Sequence, residues 1–273
     1  MSEPYKNSAD LIMRIHGCDV SRYEPSFLYQ SLQKRMAETG YGSVDEYCAF
    51  LEQNTTERAS FIDSLSISYS TFFRNPLTYA VLEHIILPAI VFKKQIDRRK
   101  EIRVWSMACA GGQEAYSLAM LLEELRSSAT NTFMYRIFAT DQHESQVNEA
   151  MQGYYAAADV KNLSLKRAGQ WFSRHGDVFA VTPELKEHIE FSTFDLFNTE
   201  TNCPPTSIFG DFDLVVCANL LFYYNNEYRT KILGKAVHCM TRGGYLITGE
   251  SERDMVIMNN FHEVFPHSAI FQR

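Results

Sequence analysis

From residue 102 onward, short apolar runs of strand character alternate with amphipathic helical patterns, and no other feature limits the fold so tightly. IRVWSMAC (residues 102–109) reads as a strand and QEAYSLAMLLEEL (113–125) as a helix; MYRIFATD (134–141) and HESQVNEAM (143–151) repeat the pair. HIEFSTFD (188–195), FDLVVCAN (212–219), a helix over 227–240, GGYLITG (243–249) and SAIFQR (268–273) complete the series. Strand and helix in alternation, joined by right-handed crossovers, imply an α/β domain with a parallel sheet covered on both faces. The final strand follows a long polar connection with no strong crossover helix, so it is expected to pair antiparallel. A stretch at about 160–187, with a helix near Trp171 and the β-like VFAVT, reads as an excursion inserted into the sheet.

The first part of the chain, assigned to residues 1–72, carries helix signals only. LIMRI stops at Gly17. Phe27, Leu28, Leu32 and Met36 share one face before Gly40, and Val44, Tyr47, Cys48 and Leu51 form a third stripe. Asn54 announces a fourth helix as its N-cap, with Glu57 at the capping-box position. Four small amphipathic helices need one another for burial, so they are expected to make a compact helical domain. Residues 73–100 form a connecting helix and linker: Asn75 can cap, Pro76 takes the first helical position, and the basic run KKQIDRRK (93–100) reads as a solvated turn. The sheet domain then occupies 101–273.

Bulk composition excludes several classes. With 33 acidic and 26 basic residues the formal charge is −7, which disfavours a general nucleic-acid surface. Six cysteines without a C-x-x-C pair point to a reducing compartment and away from structural zinc, and no metal is expected. The N-terminus lacks a signal-peptide core. The longest apolar stretch, IILPAIVF (85–92), is too short to span a bilayer and contains Pro88. The reading is therefore a cytoplasmic protein without membrane insertion.

In open α/β sheets ligands bind beyond the carboxyl ends of the strands. Three strand ends are notable: Ala110, Gly111 and Gly112 after the first, Asp141 at the second, and Asn219 at the fourth. Absent side chains let a ligand lie against backbone, an aspartate can accept from ribose hydroxyls, and an amide can donate and accept. Each has a plainer reading: a tight turn, a helix cap, a chain reversal. A P-loop and a full G-x-G-x-x-G are both missing. Glu114, just inside the helix, would repel a pyrophosphate there and suits a cationic group such as the amino end of S-adenosylmethionine.

These residues carry a resemblance. GYGSVDEYCAFL, STFFRNP, RVWSMACAGGQEAYSLAMLL, IFATDQHESQVNEAMQGYY, IEFSTFDL, FDLVVCANLLFYYNNE and GGYLITGESE, in this order and spacing, make the chain similar to the chemotaxis-receptor glutamate methyltransferases, the CheR family. The resemblance implies a small N-terminal all-helical domain and a doubly wound, Rossmann-like methyltransferase sheet with a short inserted β subdomain. It implies S-adenosylmethionine as cofactor, S-adenosylhomocysteine as product, and glutamyl methyl esters formed on the helical cytoplasmic domain of a chemoreceptor by a monomer. By the same resemblance Glu114 holds the cofactor's amino end, Asp141 the ribose, and Asp195 with Leu196 flank the adenine. Ala110, Gly111, Ser68 and Ser70 border the cofactor. Arg74 stands near the cofactor and the incoming carboxylate, and Asn219 and Tyr223 match the C-x-N-x-x-x-Y signature. Arg74 could instead be an ion pair tying the two parts together, and Tyr223 could be core packing.

The chain departs from the family at Ala218, where Arg is usual, and at Asn75 and Ala115, where Glu and Pro are usual. Ser68 and Ser70 replace Asn and Thr. SRHGDVFAV is short and lacks the glycine-containing insertion of members that dock on a receptor's C-terminal pentapeptide, so tethering is not expected. Two alternatives stay open: a cofactor-binding regulatory or scaffold protein with weak or no turnover, suggested by Ala218, and a small-molecule methyltransferase.

Overall fold

The computed structural model describes Ile12 and residues 20–65, 69–96, 101–128, 133–207, 209–259 and 261–272. The expected LIMRI helix, except Ile12, the end of the basic run and Ser68 lie outside these residues. By its contacts the chain forms two compact units, one of Met1–Ile67 with Leu220–Lys231, the other of Ser68–Asn219 with Ile232–Arg273.

In the first unit, α1 (Pro25–Thr39) starts on a proline and buries Leu28, Leu32 and Met36. It stops at Gly40, whose φ of 82° is left-handed and whose N–H donates to the Met36 carbonyl. Ser43 caps α2 (Val44–Gln53), which buries Tyr47, Cys48 and Leu51. Asn54 caps α3 (Thr55–Ser64) as expected, its side chain accepting from the Glu57 N–H at 3.0 Å. The other half of the expected capping box does not form. The Glu57 carboxylate accepts instead from Arg35 Nε at 3.0 Å, Arg35 Nη2 at 2.7 Å and the Tyr47 hydroxyl at 2.7 Å. A charged fork plus a phenol offers more than one backbone N–H can.

The returning segment Leu220–Lys231 packs in the same unit. The Glu24 N–H donates to the Tyr223 carbonyl at 2.8 Å, the Asn225 N–H donates to the Arg22 carbonyl, and Arg229 pairs with Glu24 at 3.0 Å. Tyr23 stacks on Tyr224 with centroids 5.4 Å apart, and Phe27 meets Tyr223 edge-on at 4.8 Å.

The second unit opens with α4 (Pro76–Ile96). Pro76 supplies the fixed φ of a first turn, and Asn75, expected to cap it, makes no side-chain cap hydrogen bond. The helix runs through Pro88 because the turn Leu82–Ile86 widens to π geometry, giving room where a proline lacks its N–H and crowds the preceding turn. By length and composition α4 could cross a membrane. Here Leu82, Ile86, Leu87, Ile90 and Val91 lie in the unit's core. The solvated turn expected at 93–100 is corrected over its first residues, since α4 continues to Ile96 and Lys94 pairs with the buried Asp213 at 2.9 Å. A carboxylate taken out of water requires such a partner.

The elements that follow are β1 (Glu101–Ser106), α5 (Gln113–Ser128), β2 (Met134–Asp141), α6 (Glu144–Gln152), β3 (Tyr154–Ala156), α7 (Leu165–Trp171), β4 (Phe172–His175), β5 (Val178–Val181), α8 (Pro183–Lys186), β6 (Ile189–Thr193), β7 (Phe212–Cys217), α9 (Asn226–Cys239), β8 (Met240–Thr248), α10 (Arg253–Ile257), β9 (His262–Glu263) and β10 (Ile270–Gln272). The main sheet has the order β6-β2-β1-β7-β8-β10-β9. The strands from β6 to β8 are mutually parallel, and β10 runs antiparallel to β8, as expected of the last strand. The two-residue β9 was not foreseen.

Val104, Ile137, Leu214, Val216, Ile247 and Ile270 belong to one core cluster with α4 and α5. Their neighbours Trp105, Phe138, Val215, Leu246 and Phe271 are equally buried but outside it. Side chains alternate across a strand, so both faces of the sheet are covered. The inserted excursion is a second sheet, β3-β5-β4, all antiparallel. It starts at Tyr154, earlier than the expected 160, because three residues are too few to show alternation in sequence.

Candidate cofactor site

The strand order reverses between β1 and β7, and there the carboxyl ends leave a crevice. β1 ends at Ser106, and residues 107–112 turn into α5. The turn is held from both sides: the Met107 N–H donates to the Val216 carbonyl on β7, and the Cys109 N–H to the Thr140 carbonyl on β2. Gly112 has a φ of 88°, and a Cβ there would lie 2.8 Å from the Ala150 Cβ. Both facts require glycine. Ala110, at φ 45°, takes a left-handed conformation that side chains disfavour.

Two of the expected residues, Ala110 and Asp141, meet at this turn. The Ala110 N–H donates to Asp141 Oδ2 at 3.0 Å, and the other carboxylate oxygen accepts from the His143 N–H. Asp141 thus ties the loop to the turn that leads into α6, but it is not the helix cap, a position held by His143 without a side-chain cap bond. Burial raises its carboxyl above the usual range, with the His143 and Ala110 amides opposing. Its carbonyl accepts from the Phe194 N–H, which places Asp195 and Leu196 next along the same rim. Asp195 is exposed and its carboxylate accepts from the Phe197 N–H; Leu196 is buried.

Glu114 lies in the first turn of α5. Its Oε1 accepts from the Ser106 hydroxyl at 2.6 Å. Burial pushes its carboxyl up to about 7; the Ser106 hydrogen bond pulls it down, Glu252 pushes it up and Arg74 pulls it down. A carboxylate with one hydroxyl partner at that pKa is poised to take a cation. Beside it the Gln113 Oε1 is buried without a hydrogen-bond partner, close to where a Gly111 side chain would stand. A buried acceptor of this kind awaits a donor, so the residues fit a cofactor bearing an amino group and hydroxyls.

β7 ends at Cys217, two residues before the expected Asn219. Asn219 cannot extend the ladder because its φ is 60°. Its N–H donates to Glu252 Oε2 at 2.8 Å, and the same oxygen accepts from the Gly249 N–H at 2.7 Å. A Cβ on Gly249 would sit 2.8 Å from Asn219 Oδ1. Ala218, where a cation is usual, packs partly buried against the core cluster. Ser70 is partly buried. Arg74 reaches the field of Glu114 while its Nη1 donates to the Tyr69 carbonyl at 3.2 Å and its guanidinium lies over the Tyr69 ring at 5.3 Å. Tyr223 belongs to the other unit, where its ring meets Phe27 and Phe222.

Sequence reasoning missed Ser106 and Glu252. Ser106 is the last residue of a strand and looks like any small strand residue. Glu252 was visible only as part of GGYLITGESE, and nothing local in it signals that its carboxylate turns back onto Asn219. Among the described residues no group of His, Cys, Asp and Glu could hold a metal.

Comparison with known proteins agrees with this geometry. Residues 68–269 match the family model described as CheR methyltransferase, SAM binding domain, and residues 4–66 match its all-alpha domain. A chemotaxis protein methyltransferase of Listeria monocytogenes is 28% identical over 96% of this chain and 97% of its own. The chemotaxis protein methyltransferase of Salmonella typhimurium is 27% identical over 94% and 86%. Among solved structures, magnesium protoporphyrin IX methyltransferase of Synechocystis PCC 6803 is similar with a TM-score of 0.33, at 15% identity, over 67% of this chain and 70% of that one. With both of its parts matched in order, the chain belongs to the CheR family of methyltransferases, with S-adenosylmethionine as cofactor.

Proposed function

We propose that the protein esterifies glutamate side chains in the helical cytoplasmic domain of a chemoreceptor or related signalling protein, acting as a cytoplasmic monomer without pentapeptide tethering. The observation that carries the reading is the pairing of a half-neutralised Glu114 with Asp141 across one glycine turn. Glu114 holds the cofactor's amino end, Gln113 Oε1 accepts from it, Asp141 takes the ribose hydroxyls, and Asp195 with Leu196 border the adenine. When bound, the cofactor supplies a methyl group on a sulfonium, and the acceptor oxygen displaces S-adenosylhomocysteine. The acceptor is a carboxylate that is already ionised near neutral pH, since a glutamate side chain in water titrates at about 4.3. No general base is therefore needed. The protein's work is alignment and exclusion of water. Arg74 presents a planar donor fork suited to holding the acceptor carboxylate, with only its Nη1 engaged on the Tyr69 carbonyl. Tyr223 serves the substrate side.

The test is transfer of labelled methyl from S-adenosylmethionine to a purified receptor cytoplasmic domain, scored as base-labile methanol. Label that requires Arg74 and maps to glutamates supports the proposal. Tight cofactor binding with no transfer to any receptor domain turns it into the regulatory reading that Ala218 suggests.

A further inference from the structure

The connector between β6 and β7, residues 194–211, is fastened along one face of α9. Lys235 Nζ donates to the Asn198 carbonyl and lies over the Phe194 ring, 5.0 Å from its centroid. One helical turn further on, Cys239 ends α9, and its thiol sits 2.6 Å from the thiol of Cys203 in the connector. Neither is bonded to another cysteine. A disulfide needs about 2.05 Å between sulfurs, so the pair is within about half an ångström of bonding. The approach is built: Gly210, at φ 60°, brings the connector backbone so close that a Cβ there would meet Cys203 Sγ at 3.1 Å and the Cys239 carbonyl at 3.2 Å. Arg103 fixes that end of the connector through the Gly210 carbonyl and the Ser207 hydroxyl.

The two thiols differ in access. Cys203 is partly exposed, whereas Cys239 is buried and donates to the Asn202 carbonyl at 3.2 Å. Burial holds the Cys239 thiol well above its usual range, with the Lys235 ammonium opposing, so the partly exposed Cys203 is the thiol that an oxidant meets first. We propose that Cys203 and Cys239 form a reversible oxidation site, closing to a disulfide that locks the β6–β7 connector onto α9. With a peroxide as oxidant, the Cys203 sulfur attacks one peroxide oxygen and becomes a sulfenic acid, while the other peroxide hydroxyl leaves as water with the Cys203 proton. Cys239 then displaces the hydroxyl, which departs as a second water with the Cys239 proton. Two thiols and one hydrogen peroxide thus give one disulfide and two waters. The connector also carries Asp195 and Leu196, but the proposal does not rest on methyl transfer and its test needs no substrate.

Full-length reduced protein is exposed to hydrogen peroxide, quenched, denatured and alkylated. The expected result is a fall from six alkylatable cysteines to four, loss of two hydrogens from the intact mass, and a linked peptide pair containing Cys203 and Cys239. Dithiothreitol restores all six. The melting temperature of the oxidised protein rises by at least roughly 4 °C, as a covalent closure of this span predicts, and the rise is absent in Cys203→Ser. That partly exposed position tolerates the change, and Cys203→Ala with a circular dichroism spectrum guards against misfolding. Over-oxidation of Cys203 with Cys239 still alkylatable, or six thiols surviving, overturns the proposal.

Discussion

Glu57 and Glu114 are both carboxylates withdrawn from water, one in each compact unit, and they are treated in opposite ways. Glu57 receives the fork of Arg35 and the hydroxyl of Tyr47, so its charge and lone pairs are answered within the protein. Glu114 receives one hydroxyl and sits with a carboxyl pKa near 7. The first arrangement is complete and holds three helices together. The second has a single hydroxyl donor, and under the proposed function the cofactor's amino group is its further partner. On that proposal, the count of donors around a buried acid separates a structural acid from a binding one more sharply than burial does.

The comparison can be broken most forcefully at Glu57. Glu57→Ala leaves Arg35 and Tyr47 without their acceptor, and breaking a buried pair of this kind costs about 3 kcal/mol, to be read from urea unfolding. If stability holds while cofactor affinity collapses, the two acids have been assigned the wrong way round. At Glu114 the effect should fall on binding. Glu114→Gln should weaken S-adenosylhomocysteine by roughly 10- to 100-fold, the usual worth of a charged hydrogen bond, in a calorimetric titration, while the fold is kept.

Protonation offers a gentler version of the same change. Since Glu114 is raised above its unfolded value, it carries a proton below about 7 and cannot then hold an amino cation. Affinity should rise about eightfold between pH 6 and 7.5 if only the ionised form binds. For the free protein the sign is reversed. A raised carboxyl leaves stability fully present below the unfolded pKa, and that stability is lost as pH climbs through about 7. Glu114→Gln should flatten both slopes. The smallest effect is expected at Ser106. Removing its hydroxyl takes away the one hydrogen bond that lowers the Glu114 pKa, so Ser106→Ala should move the midpoint of the affinity profile upward and weaken binding by roughly twofold to fivefold. An unmoved midpoint would show that the hydroxyl does not set the acid's state.

Much of this was legible in the sequence, because the signals were either periodic or fixed by a turn. The strands were readable as apolar runs, Gly40 as a helix stop, and Gly111, Gly112 and Glu114 as a loop unlike a phosphate cradle. What escaped was set by tertiary contact. Asn219 looked like the last residue of a strand, but its φ is left-handed and its N–H goes to Glu252, which lies 33 residues away and has no local signature. Glu57 looked like a capping-box acid until Arg35, 22 residues upstream, took its carboxylate. Lys94 looked like one charge in a solvated run, and only the sheet brings Asp213 to it. Cys203 and Cys239, 36 residues apart, looked unrelated. In each case the residue type was visible and its partner was not.

The packing of Leu220–Lys231 on the helical unit bears on how the chain is made. Glu24 and Arg229 are 205 residues apart, so α1 waits for a partner made much later in synthesis. At about 5–20 residues per second of synthesis, the faces of Tyr23 and Phe27 that meet Tyr224 and Tyr223 stay uncovered for roughly 10–40 s on the ribosome. The α1 face is therefore finished well after it is made, and that interval is when aggregation or chaperone capture would act on it.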